Sequence, residues 1–157
     1  MHSAEYRSPL GTLLLQSDGE ALTALSFGRG PGEASDGCAV LEQASRWLDA
    51  YFCGEAPAIE FPLSPRGTEF QKQVWQLLLE IPYGQVRTYG GLALEMARRL
   101  GKEKMSAQAV GQAVGSNPIS IIVPCHRVVG AKGQLTGYAW GVERKKWLLD
   151  HEKEDGV

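Results

Sequence analysis

The chain has 157 residues, of which 43% are hydrophobic and 22% charged, with a formal net charge of −2. That length holds one domain, or two small ones sharing a core, and the composition is that of an ordinary globular protein. No apolar run is long enough to cross a bilayer, and the opening Met1-His2-Ser3-Ala4-Glu5 lacks the basic and apolar blocks of a secretory signal. A cytoplasmic protein is therefore expected, with no membrane partner.

The cysteines, Cys38, Cys53 and Cys125, are odd in number and never spaced as CxxC. This argues against a disulfide framework and against a zinc site built on cysteine pairs. Free thiols suit a reducing compartment. The small net charge hides a division. Residues 1–63 carry net −6, residues 64–148 net +7, and residues 149–157 net −3. A basic block between acidic ends points to a polyanion held by one part of the molecule, against the alternative of chance asymmetry on a solvated surface.

Taken in chain order, Gly11–Gln16 and Ala21–Phe27 flank a turn at Ser17-Asp18-Gly19-Glu20 and predict a β-hairpin. Residues Gly28 to Gly37 form a glycine-rich loop. Val40, Leu41, Ala44, Trp47, Leu48, Tyr51 and Phe52 then recur at helical spacing, with Cys38 and Cys53 at the two ends of the helix and expected to be small buried hydrophobes. Pro57, Pro62 and Pro65 mark a linker that coincides with the change of charge, so the expected domains are 1–63 and 64–157.

The second part reads as mostly helical. Thr68 caps a helix with an apolar face of Phe70, Val74, Leu77, Leu78 and Ile81, ended by Pro82. Thr88 caps a second helix through Leu100, with Gly101 as its stop. Ser106 caps a third, Ala107 to Gly115. The last two form a helix-turn-helix pattern. The third helix is unusually slim, with Ala107, Gly111 and Gly115 on one face and Ala109 and Ala113 beside them. Such a helix lets another backbone come close, either a neighbouring helix in the core or the wall of a DNA groove. Ile119–Val123 predicts a buried strand or extended segment, running into Pro124-Cys125-His126-Arg127-Val128-Val129. A turn at residues 130–133, a loop through Gly137–Gly141 and a final amphipathic helix from Val142 to Lys153 complete the chain. The fold class is α+β: a small N-terminal α/β domain, then a helical domain of winged-helix or helix-turn-helix type.

Cys125 and His126 are adjacent at the end of an apolar segment, and His151 and Glu152 are available in the last helix. A base beside a thiol can take its proton, and a carboxylate behind the base can hold the right tautomer. A relay of Cys125, His126 and Glu152 competes here with a buried inert cysteine beside a surface histidine. A metal site on Cys125, His126 and His151 is the poorer reading, because adjacent ligands seldom both reach one tetrahedral ion.

Pro124-Cys125-His126-Arg127-Val128 resembles the active-site motif of the O6-alkylguanine-DNA alkyltransferases. The similarity runs from about Phe70 to Glu152 and includes Ile81-Pro82-Tyr83-Gly84, Thr88-Tyr89-Gly90, Ala109-Val110-Gly111, Asn117-Pro118 and Trp147–Glu152. The resemblance implies irreversible transfer of an alkyl group from O6 of guanine, with O4 of thymine as a further candidate. The base would be flipped out of double-stranded DNA. Cys125 would be the acceptor, used once and without a cofactor.

It further implies that His126 takes the thiol proton through a water, that Glu152 orients His126, and that Asn117 braces the turn. Tyr89 would press on a phosphate beside the target, Tyr138 would donate to the guanine ring, and the Ala139 amide would face O6. Carbonyls of Cys125 and Val128 would accept from the exocyclic amine. Ser106, Ala107, Gln108, Ala109, Gly111 and Gln112 would lie along the minor groove, with Arg98, Lys102 and Arg127 as further DNA contacts.

Two departures from the family stand out. Gln108 occupies the place of an arginine that fills the vacated stack, and the turn Arg98–Met105 before it is several residues longer. Trp140 replaces a small residue beside the pocket. A lesion sensor of the same fold would lack Cys125. A cysteine hydrolase would need neither the charge division nor the slim helix. A winged-helix regulator would read the major groove with Arg, Asn or Gln rather than Ala and Gly. No segment resembles a dimerisation element, so a monomer is expected.

Overall fold

The computed structural model describes residues 1–30 and 38–155, with side chains through Lys153. Part of the glycine-rich loop expected at 28–37 lies outside the described residues. The chain forms two compact units. One comprises Met1–Arg66 with Pro118–Ile122, the other Gly67–Asn117 with Val123–Val157.

The first unit is a three-stranded antiparallel sheet of β1 (His2–Ser8), β2 (Gly11–Ser17) and β3 (Leu22–Phe27), in that order, with α1 (Ala39–Phe52) packed on it. The predicted hairpin is β2–β3. Alternate residues of β2, Leu13, Leu15 and Ser17, are buried, the period-2 pattern of a sheet with one covered face. Asp18 Oδ1 accepts from the amides of Glu20 and Ala21, and Gly19 sits at φ +102°, so the turn residues do what their types allow. Strand β1 has too few apolar residues to register in the sequence. It forms by pairing with β2 over its whole length, and it exposes Glu5 and Arg7 as an edge strand does. Of the two cysteines at the ends of α1, Cys38 is buried as expected. Cys53 is exposed, as the residue that caps the C-terminus of the helix.

The second unit holds α2 (Glu69–Leu78), β4 (Arg87–Thr88), α3 (Tyr89–Leu100), α4 (Ala107–Gly115), a 3₁₀ turn (Cys125–Arg127), β5 (Val128–Val129) and α5 (Val142–Asp155). Strands β4 and β5 pair in parallel. Each predicted cap is in place. Thr68 and Gln71 make a reciprocal capping box, Thr88 accepts from Gly91, and Ser106 accepts from Ala109. Gly101 stops α3 in the left-handed conformation. Phe70, expected in the apolar face of α2, is only half-buried; Trp75 takes that role, buried with its Nε1 donating to the Ala113 carbonyl of α4 at 2.8 Å. Arg98 to Leu100 belong to α3, so of the segment Arg98–Met105 only residues 101–105 lie between α3 and the cap of α4.

Ile119–Val123 is buried, but it is not a strand. Only Ile119 makes a β-bridge, to Leu25, and the chain then coils tightly, with Ile122 donating to Ser120 at 2.7 Å and Cys125 to Val123 at 2.8 Å. Ile121 sits at φ 69°. A β-branched residue in that region costs on the order of 1–3 kcal/mol and persists only where its surroundings fix it. The strain lies in the stretch that leads into the cysteine. No helix among the described residues is long and apolar enough to cross a membrane.

Candidate active site

The 3₁₀ turn puts Cys125, His126 and Arg127 on successive positions and buries all three. Helix α5 supplies the groups that face them. Lys145, Leu148 and Glu152 share its buried side, at the i, i+3 and i+7 spacing of one helix face.

Glu152 is 1% exposed and saturated with donors. His126 Nε2 lies 2.6 Å from Oε2, Arg127 Nε donates to Oε1 at 2.8 Å and a terminal Arg127 nitrogen to Oε2 at 3.1 Å, and the Gly84 amide donates to Oε1 at 3.2 Å. Burial alone would raise the carboxyl pKa; the bonds and charges of His126 and Arg127 outweigh it and hold Glu152 ionised, far below the ordinary range. An ionised carboxylate can only accept, so His126 carries its proton on Nε2. Its Nδ1 is buried with no hydrogen-bond partner among the described residues. Burial, reinforced by the charges of Arg127 and Lys145, lowers the His126 pKa despite Glu152. The imidazole is therefore neutral at pH 7, with a lone pair on Nδ1.

Cys125 is 7% exposed. Burial raises its thiol pKa, while a hydrogen bond from Asn117 and the charge of Lys145 pull the other way. Asn117 also donates to the Val123 carbonyl at 2.8 Å, so it ties the residue after α4 to the turn before the cysteine. Lys145 is fully buried. Its Nζ donates to the Thr136 carbonyl at 2.8 Å and stands 5.7 Å from the Tyr89 ring centre. The Tyr89 hydroxyl donates to the same carbonyl at 3.2 Å. Tyr138 and Val128 are buried, Trp140 is half-buried and Ala139 is exposed.

The structure thus brings together Cys125, His126, Glu152, Asn117 and Tyr89 from the sequence reading. Sequence reasoning missed Lys145. It sits in the charged run Glu143-Arg144-Lys145-Lys146, which reads as a solvated face; its spacing to Leu148 and Glu152 was the available signal. Arg127, expected as a DNA contact, requires a correction. Its guanidinium is turned inward onto Glu152 and the Ile81 carbonyl at 2.7 Å, and over the Tyr83 ring at 5.7 Å, so it is part of the support for the relay.

Of the residues proposed along a groove, Ser106, Ala107, Gln108 and Gln112 are exposed, Ala109 and Gly111 are intermediate, and Val110, Ala113 and Val114 form the buried side of α4. The glycine face is therefore open. A Cβ added at Gly115 would meet nothing within 4 Å, so close packing does not require a glycine there, whereas one added at Gly111 would touch the Tyr89 ring at 3.6 Å and Ala113 is buried. Arg98 and Lys102 are exposed, and Arg98 is ion-paired with Glu95.

Against known proteins, residues 69–154 match the family model described as the 6-O-methylguanine DNA methyltransferase DNA binding domain, and residues 1–65 match the ribonuclease-like domain of the same family. The chain is 48% identical to a methylated-DNA–protein-cysteine methyltransferase of Methanosarcina acetivorans, over 97% of this chain and 98% of the relative. It is 46% identical to one of Mycobacterium leprae, over 98% and 93%. The crystal structure of Mycobacterium tuberculosis OGT in complex with DNA is similar with a TM-score of 0.81 and 44% identity, over 99% of this chain and 94% of that one. Two domain matches in the right order and near-complete coverage by relatives carry one conclusion: this chain belongs to the 6-O-methylguanine DNA methyltransferase family.

Proposed function

We propose that this protein repairs O6-alkylated guanine in duplex DNA by moving the alkyl group irreversibly onto Sγ of Cys125. The observation that carries the reading is the buried relay, in which Glu152 fixes the His126 tautomer and leaves Nδ1 free to accept beside the cysteine.

His126 Nδ1 takes the thiol proton through a water, and Glu152 and Lys145 stabilise the charges that result. The thiolate attacks the alkyl carbon, the S–C bond forms as the C–O6 bond breaks, and the electron pair goes to the guanine. Tyr138 donates to the ring, the Ala139 amide faces O6, and the proton returns to the base as it leaves. Atoms and charges balance without a cofactor. A thioether has no easy route back, so one molecule repairs one lesion. The buried thiol is out of reach of a stacked base, so the nucleotide must be flipped out, at a cost of a few kcal/mol.

Binding of DNA and acceptance of the alkyl group fall to residues 64–157, with the open face of α4 lying in the minor groove, Tyr89 against a phosphate and Arg98 and Lys102 near the backbone. Lys102 and Lys104, both exposed, lead directly into that helix. The protein acts as a monomer, in the cytoplasm, where its three unpaired thiols stay reduced. The test is the mass of the intact protein after mixing with duplex DNA carrying O6-methylguanine. A gain of one methyl mapped to Cys125 is expected. Methyl loss from the DNA without a gain on Cys125, or several turnovers per molecule, would overturn the reading.

A further inference from the structure

From Met105 to Cys125 no side chain carries a full charge. The exposed face of α4 lies within this stretch. A helix face meant only for water draws on charged residues, which this chain has elsewhere in plenty. An open, uncharged face suits the floor of a groove, where base edges rather than phosphates are met. Two long side chains rise from it, Gln108 and Gln112, one turn apart. Both are exposed, and neither side-chain amide makes a hydrogen bond among the described residues.

Their directions differ. At about 100° per residue, Gln108 and Gly115 lie at the centre of the exposed arc, Gly111 on one flank and Gln112 on the other. The Gly111 flank faces Tyr89, whose ring carbon would stand 3.6 Å from an added Cβ. Tyr89 in turn lies within the electrostatic reach of Cys125 and beneath Lys145. The Gly111 flank is therefore the side of the reacting cysteine, the side to which a target nucleotide must leave. Gln112 stands on the far flank, where the complementary strand remains.

We infer that Gln112 reads the minor-groove edge of the complementary strand next to the lesion and makes repair depend on the flanking base pair. This rests on the proposed docking of α4 in the minor groove. A·T pairs present only acceptors there, while guanine adds its N2 amino donor beside the N3 acceptor. A glutamine amide offers one acceptor and donors on the adjacent nitrogen. It matches guanine N2 and N3 with two bonds, and an A·T pair with one. A guanine beside the base opposite the lesion is the favoured context.

The experiment is single-turnover transfer from duplexes with the same lesion and with guanine, inosine or 7-deazaguanine at that neighbouring position. Inosine lacks only the minor-groove amino group. It should slow transfer roughly tenfold, the size of one good base contact. Inosine also weakens pairing, which by itself would speed opening, so a slower rate cannot come from duplex stability. The 7-deaza base, altered only on the major-groove edge, should react as guanine does. Gln112→Ala should make guanine and inosine equal. Equal rates for the unsubstituted protein, or a guanine preference that survives in Gln112→Ala, would overturn the inference. Gly115→Leu separates it from the reading beneath. If Gly115→Leu leaves duplex binding unchanged, the docking itself is wrong. If it weakens binding while guanine and inosine remain equal, docking stands and the role of Gln112 falls.

Discussion

Two regions of the second unit are built on opposite plans. Around Cys125, most polar groups are buried and partnered within the protein: Glu152 accepts from His126, Arg127 and the Gly84 amide, and Lys145 is held by a carbonyl, while His126 Nδ1 is left to accept. On α4 the buried side is apolar, and the exposed side ends in two amides with no partner among the described residues. The chemistry is assembled before DNA arrives, whereas recognition is completed by the DNA. Substitutions in the first region should change stability or the reaction itself, and substitutions in the second should change which DNA is repaired.

The sharpest division should come from Cys125→Ser. Transfer is expected to vanish while duplex affinity, followed by fluorescence anisotropy, stays largely intact. A serine variant that still cleared methyl groups from DNA would mean that the acceptor is another residue.

Next in size is Glu152→Ala, which leaves Arg127 buried without its anion. Breaking a buried pair by removing one partner costs roughly 3–5 kcal/mol, far more than an exposed pair such as Lys146–Asp150 contributes. Urea unfolding should show the difference. The same cluster sets an acid response. Folded His126 has a pKa below its ordinary 6.5 and Glu152 one below 4.5, so below those values the unfolded chain binds protons that the folded chain refuses. Stability should fall as pH drops below about 6.5, and again below about 4.5, where the Glu152 contribution goes. A flat stability from pH 7 to 4 would contradict the assigned charge states.

Lys145→Met should act on the reaction more than on binding. Removing its charge leaves burial less opposed at Cys125, so alkylation of the thiol by iodoacetamide should need higher pH. An unchanged pH profile would reduce Lys145 to a tether for Thr136. Trp140→Gly should matter for one substrate class only. If the half-buried indole lines the alkyl pocket as proposed, it would crowd a benzyl group more than a methyl group. The variant should gain reactivity with O6-benzylguanine and little with O6-methylguanine, and equal gains would place the effect in the fold or in DNA binding.

The two plans also decide what the sequence could disclose. Caps, turns and helix faces were legible because each rests on local chemistry: Thr68, Thr88, Ser106 and Gly101 each do what their residue type and position dictate. Strand β1 was not legible, since its pairing depends on β2 rather than on its own pattern. The Ile119–Val123 segment looked like a strand because burial was read as extension, whereas only Ile119 bridges to Leu25 and the chain then coils through bonds between residues two apart. In the site, Cys125, His126 and Glu152 stood out by type and motif. The inward turn of Arg127 and the burial of Lys145 did not. A charged residue reads as surface until its partner is known, and neither the Glu152 carboxylate nor the Thr136 carbonyl is marked as a partner by the sequence pattern.

The smallest expected effect tests the recognition region at its centre. Gln108 sits in the middle of the exposed arc, at the position where the family resemblance places a stack-filling arginine. Arginine would fill the gap with a long planar group and bring a charge toward the phosphates. Glutamine is shorter and neutral, and the difference is on the order of 1–3 kcal/mol in the flipped state, by comparison with other stacking contacts. That loss matters only where a base must leave a stable stack. Gln108→Arg should therefore speed single-turnover transfer from fully paired duplex DNA, with much less gain beside a mismatch and little on a single strand carrying the same lesion. A uniform gain on all three would reflect general attraction to phosphate, because attraction does not depend on stacking. No gain on any of them would show that another group already holds the gap open, the Arg98–Met105 segment that leads into α4 being the first candidate.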